Sequence, residues 1–149
     1  MLTETALAIR ADPDVVFRLA ARVEDWPRLL PHYRRVRVLR QTTESRIVEM
    51  AARRDAIPVR WTAEQRLFPA QRRITFRHVG GVTRGMDVAW TLTPAADGRV
   101  LVRIVHRFHP RWPFVSDWLV QRVVGGFFVD AIARKTLRRI ADLAEAARA

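Results

Sequence analysis

The sequence predicts an α+β domain: a seven-stranded, curved antiparallel sheet wrapped around a long C-terminal helix, with two short helices between strands 1 and 2. Three observations lead there. From Tyr33 to Phe108, apolar and polar residues alternate with period two, interrupted only by short turns. Strands joined by turns that short run antiparallel, because parallel neighbours need long crossovers. After the proline-rich HPRWPF, residues 115–147 contain no proline and carry apolar side chains at helical spacing.

Residues 2–10, LTETALAIR, alternate well enough for a first strand, with Leu7 and Ile9 on one face. The period then changes. In ADPDVVFRLAARVEDWPRLLP, Asp12 is placed to cap a helix, Pro13 suits its first turn, and Val16, Leu19, Ala20 and Val23 form its apolar stripe. A second short helix is capped near Glu24 or Asp25, carries Pro27 in its first turn and stops at Pro31.

Six strands follow. YRRVRVLRQT sets Val36 and Val38 on one side, and SRIVEMAARR groups Val48, Met50 and Ala52. IPVRWTAEQRLF opposes Val59, Trp61, Ala63, Gln65 and Leu67 to Arg60, Thr62, Glu64 and Arg66. RRITFRHV aligns Ile74, Phe76 and His78; GMDVAWTLTP aligns Met86, Val88, Trp90 and Leu92; GRVLVRIVHRFH aligns Val100, Val102, Ile104, His106 and Phe108. Thr43-Glu44, Asp55-Ala56, Pro69-Ala70, Gly80-Gly81 and Asp97-Gly98 supply the turn chemistry. One sheet face is apolar and the other rich in Arg and Thr, so the sheet is covered on one side. The cover is the last helix, through Val129, Ile132, Thr136, Ile140 and Leu143, and Gly125-Gly126 marks a kink or a close approach to the sheet. A curved sheet cannot pack solid against one helix everywhere, so a concave apolar space is expected.

Composition narrows the function. The 149 residues suit a single domain spanning 1–149 with a real core. No apolar run reaches the roughly 20 residues that span a bilayer. The start, MLTETALAIRADPD, has no signal-peptide pattern, and a cytoplasmic location is expected. Without cysteine there is no disulfide, thiolate chemistry or Cys-based metal site. No His/carboxylate spacing suggests a metal, and no cofactor is expected: HVGGVTRG lacks the Lys-Ser/Thr of a phosphate loop. The net charge of +12 is carried almost wholly by arginine, Lys135 being the sole lysine; it suggests either an anionic partner (nucleic acid, a membrane surface or an acidic ligand) or simply arginines filling the solvent side of the strands. The basic residues are spread along the chain and no RNP1-like or KH-like motif accompanies them, so nucleic acid is not expected as a partner. Oligomeric state is left open.

The element order, with DPDVVFRLAARVEDWPRLLPHYRRVRVL and GMDVAWTLTPAADGRVLVRIVHRF, resembles the START-like helix-grip superfamily (SRPBCC), and within it the polyketide cyclase/dehydrase branch that includes aromatase/cyclases and coenzyme Q-binding proteins. The resemblance implies an internal cavity that holds a hydrophobic small molecule: a polyketide undergoing aldol cyclisation and dehydration, or, in a non-catalytic carrier acting near a membrane, a lipid or quinone. It implies that Trp26, Leu29 and Leu30 plug one end of the sheet, with His32 and Tyr33 at the corner where the next strand begins.

Such chemistry needs a proton acceptor and a donor for the developing enolate or alkoxide. His78 and His106, on the apolar phase of neighbouring strands, are the catalytic candidates; His32 and His109 sit in loops and are weaker ones. The resemblance also implies an arginine late in the fourth strand, where AEQRL offers Arg66. Alternation places Arg66 opposite Trp61, Gln65 and Leu67, so either a bulge turns it inward or it faces solvent and Gln65 is the polar pocket residue. Tyr33, Met50, Trp61, Gln65, Phe76, Trp90, Phe127 and Phe128 are the expected ligand-binding lining.

Overall fold

The computed structural model describes residues 1–110 and 115–148. Strand β1 (Leu2–Ile9) is followed by helix α1 (Pro13–Ala21), a 3₁₀ turn (Val23–Asp25) and the short helix α2 (Trp26–Leu29). Six strands come next: β2 (Tyr33–Gln41), β3 (Ser45–Arg54), β4 (Ile57–Phe68), β5 (Arg73–Gly81), β6 (Asp87–Pro94) and β7 (Val100–Arg107). The C-terminal helix runs 30 residues. It begins as α-helix (Asp117–Val120), is π-wound over Gln121–Asp130 and returns to α-helix (Ala131–Ala146). The last four residues of the link HPRWPF lie outside the described residues.

The strands form one antiparallel sheet in the order β1-β7-β6-β5-β4-β3-β2. Consecutive strands from β2 to β7 are neighbours, as their short turns require, and β1 adds to the far edge on β7, with Leu2 opposite Arg107 and Ile9 opposite Val100. Register shifts in β2, between Tyr33 and Arg35 and between Val38 and Arg40, and another between Thr62 and Ala63 of β4 interrupt an otherwise regular ladder. Each adds bend and twist locally, which is how a sheet of this width comes to curl.

The N-terminal helices form as their sequence dictates. Asp12 is extended and its carboxylate accepts the Asp14 amide at 2.8 Å, while Pro13 occupies the first turn, where its missing N–H costs nothing. Val16, Ala20 and Ala21 are the buried face of α1. The C-terminal helix buries Ile132, Ala133, Thr136, Leu137, Ile140, Ala141 and Ala144, and presents Arg134, Lys135, Arg138 and Arg139 to solvent. Gly125 sits at a close approach: a Cβ there would lie 3.1 Å from the Met1 sulfur.

Ile9, Val16, Leu30, Val100 and Val102 are fully enclosed between the sheet, α1 and the end of the C-terminal helix. The plug end is closed by polar groups. Arg46 and Gln65, opposite each other on the inner face of β3 and β4, reach under α1: Gln65 donates to the Ala21 carbonyl at 2.8 Å and accepts from Arg46 Nη2 at 2.6 Å. Arg46 in turn meets Glu24 at 2.8 Å.

Candidate functional site

Between the sheet and the π-wound part of the C-terminal helix lies a cavity of about 440 Å³, within the range of small-molecule sites. Its floor comes from alternate residues of the central strands: Met50 on β3, Trp61 on β4, Phe76 and His78 on β5, Val88 and Trp90 on β6, Ile104 and His106 on β7. Trp26 and Tyr33 close the plug end, and Val124, Phe128, Val129, Ile132, Ala133 and Thr136 of the C-terminal helix form the roof. The opening is marked by the lining residues that solvent reaches: Pro58 and Arg60 on β4, Val82 in the β5–β6 hairpin and Val123 on the helix.

Of the residues expected from the sequence, Tyr33, Met50, Trp61, Phe76, His78, Trp90, His106 and Phe128 line this space. Three do not. Arg66 pairs in regular register with Ser45 and Thr75, so no bulge turns it; it lies on the outer face, 3.1 Å from Glu64. Gln65 points inward as its phase requires, yet it is used up by Arg46 and the Ala21 carbonyl beyond the end of the cavity. Phe127 is on the outer side of the helix, 38% exposed, with the Arg54 guanidinium 4.1 Å from its ring centroid. Adjacent helical residues point in different directions, and Phe128 takes the inward one.

The polar groups in this apolar space are few and specific. His78 stacks on Trp61, ring centroids 5.7 Å apart and planes 9° from parallel, and its Nδ1 lies 2.7 Å from Thr83 Oγ1. Burial, reinforced by the neighbouring His106, depresses its pKa to about 3. His106 sits diagonally across β6: the His78 amide bonds Met86, and Val88 is paired with His106. Burial lowers its pKa to about 4 against the opposing pull of Asp130. Its Nδ1 is buried and has no hydrogen-bond partner among the described residues, as is true of the hydroxyl of Thr3, the residue directly opposite on β1. Both rings are therefore neutral near pH 7 and able to accept one proton or offer one.

At the plug end, His32 and Tyr33 meet Thr136 in a second polar cluster, a grouping that the sequence did not disclose. Thr136 gives its one hydroxyl proton to the Ile132 carbonyl at 2.8 Å, so His32 Nε2, 2.8 Å from the same oxygen, must carry a hydrogen and donate it. Burial and the charge of Lys135 take the His32 pKa down to about 4. Tyr33 also bonds Thr136, but burial is stronger and pushes its hydroxyl well above the usual range, leaving it a neutral donor. Tyr33 packs edge-on to Trp26, centroids 4.8 Å apart, and Trp26 donates to the Leu19 carbonyl at 2.9 Å. The Trp-Pro and His-Tyr corner is thus a buried aromatic plug. Thr3 was detectable in principle, since it is a polar residue on the phase of Leu7 and Ile9.

Among the described residues, no group of three or more His, Asp or Glu could hold a metal ion. No helix among them is long and apolar enough to cross a membrane.

Comparison with known proteins agrees with this geometry. A family model described as polyketide cyclase / dehydrase and lipid transport matches residues 9–141. The granaticin polyketide synthase bifunctional cyclase/dehydratase of Streptomyces violaceoruber is 28% identical over 108 residues, 71% of this chain and 33% of that protein. The chain thus spans about a third of the length of this curated relative. The Zhui aromatase/cyclase of Streptomyces sp. R1128 superimposes with a TM-score of 0.85 at 18% identity, covering 97% of this chain and 93% of that one. A START superfamily protein from Mycobacterium smegmatis gives 0.75 at 12% identity, over 95% and 98%. At such identities, the two structures establish the helix-grip fold alone.

Proposed function

The chain belongs to the polyketide cyclase/dehydrase and lipid transport family, and from that premise we propose that it holds a flexible polyketide in its cavity and promotes aldol ring closure followed by loss of water. The observation that carries the proposal is a pair of neutral imidazoles, His78 and His106, facing one apolar cavity, with the His106 Nδ1 unpartnered.

The chemistry follows from what such groups do. A methylene flanked by two carbonyls loses a proton to an imidazole nitrogen. The resulting enolate carbon forms a bond to a remote carbonyl carbon, whose oxygen takes up the electron pair and is protonated. A second proton then leaves the attacking carbon, and the new hydroxyl departs with a returned proton as water. Imidazoles with depressed pKa values are weak bases, which is sufficient for hydrogens already made acidic by two carbonyls. Their N–H groups offer donors to the enolate in a dry site. Most of the rate gain is assigned to the walls, which hold two distant carbons of one chain in contact.

Incubation with a synthetic poly-β-ketone, followed by chromatography of the cyclised product, tests the reading. His78→Ala and His106→Ala should each lower turnover by about 10²–10⁴-fold while the far-ultraviolet circular dichroism stays unchanged. Turnover that persists in both removes the histidines from the mechanism. A second reading, a lipid or quinone carrier without catalysis, draws support from the outward position of Arg66; it is favoured if hydrophobic ligand binds and no substrate is converted.

A further inference from the structure

The opening of the cavity is bordered by apolar side chains that nothing among the described residues covers. Val82 is 72% exposed at the hairpin tip, and across the opening the C-terminal helix exposes Trp118 (66%), Leu119, Val123 and Phe127. Leu119, Val123 and Phe127 recur every fourth residue, so they form one stripe, and Val123 belongs both to that stripe and to the cavity lining. Soluble proteins seldom present apolar surface in this concentration without a partner. Arginines surround it. Arg122 lies over the Trp118 ring and Arg54 over the Phe127 ring, while Arg60 lines the opening and Arg84 is two residues beyond Val82. Among the described residues, the carboxylates Asp117 and Asp55 share the area, and Asp55 is paired with Arg54 at 2.6 Å.

We propose that this face docks on an anionic lipid bilayer, seating Trp118, Leu119, Val123, Phe127 and Val82 at the headgroup boundary and opening the cavity directly onto the acyl phase. Charge complementarity decides the occupant, since a net positive rim around an apolar centre matches negatively charged headgroups over hydrocarbon. The exposed Trp118 is of the type that belongs at that boundary, apolar in body with one polar N–H. Continuity with the cavity supplies the use: a water-insoluble ligand would pass between bilayer and pocket without crossing solvent. The proposal stands whether or not the bound molecule is cyclised.

Co-sedimentation of the full chain with vesicles tests it, using phosphatidylcholine alone and phosphatidylcholine mixed with phosphatidylglycerol, each at low and high salt. Binding is expected to the mixed vesicles and to weaken with salt. Trp118→Ser combined with Val82→Ser should reduce affinity by about tenfold or more. Arg84→Gln with Arg122→Gln should reduce it by about fivefold per arginine. A control pair on the outer face of the sheet, Arg77→Gln with Arg103→Gln, removes the same charge and should leave binding unchanged. All these positions are exposed, and circular dichroism confirms that each variant is folded. Equal loss in the control pair, no association with either vesicle, or binding indifferent to lipid charge and salt overturns the proposal. So does a dimer in light scattering that Trp118→Ser dissolves, which would make a second copy the occupant.

Discussion

At the scale of single residues, three histidines, His32 and His78 buried and His106 half-buried, give the protein an acid sensitivity with a definite sign. His32, His78 and His106 all have folded pKa values held below the ordinary value near 6.5, to about 4, 3 and 4. The unfolded chain therefore binds protons first as pH falls, so stability is fully present above about pH 6.5 and declines below it, levelling only near the folded values. Each ring contributes up to about 1.4 kcal/mol per pH unit in that window. Urea denaturation at a series of pH values should show the decline, and His78→Phe should make it shallower. A stability that is flat from neutrality to about pH 4.5 would mean that these rings are solvated. Glu24, held low chiefly by its hydrogen bond to Arg46, adds a loss in the same direction at still lower pH.

At the scale of elements, the rim of the cavity depends on how β5 leaves the sheet. Gly81 has φ +94°, and a Cβ there would sit 2.9 Å from the Arg60 carbonyl oxygen, backbone that cannot yield. Gly85, at φ +94° in the same hairpin, has nothing within 4 Å. Gly81→Ala should cost about 2–3 kcal/mol and Gly85→Ala about 1 kcal/mol, as read from urea midpoints; equal costs would show that the clash is relieved by movement of β4. The same scale explains what the sequence could and could not disclose. Period-two alternation needs no knowledge of neighbours, so the strands, their antiparallel order and the inward phase of Trp61, Phe76, His78 and His106 were legible. The fate of Gln65 was not, because its partners Arg46 and Ala21 come from another strand and a helix end. Phe127 and Phe128 could not be told apart either, since the π-wound stretch alters the angular spacing on which a helical stripe is read.

For the molecule as a whole, the cavity is a space that the fold leaves rather than one that a few side chains carve. Filling it should therefore abolish binding without unfolding the protein. Ala133, 6% exposed, faces the cavity from the C-terminal helix. Ala133→Trp should weaken binding of a fluorescent hydrophobic probe at least about tenfold, while overpacking costs at most about 1–3 kcal/mol of stability. Undiminished probe binding would place the probe elsewhere.

The pairing of β1 with β7 has a consequence for synthesis of the chain. Strand β1 can be zipped into place only when Arg107, which lies opposite Leu2, has been added. During translation the early hairpins can close as they emerge, but the amino-terminal strand must wait with one apolar flank uncovered. Nascent chains arrested before β7 should thus be cut by protease within Leu2–Ile9 and engage holdase chaperones, and protection there should appear abruptly once β7 has cleared the exit tunnel.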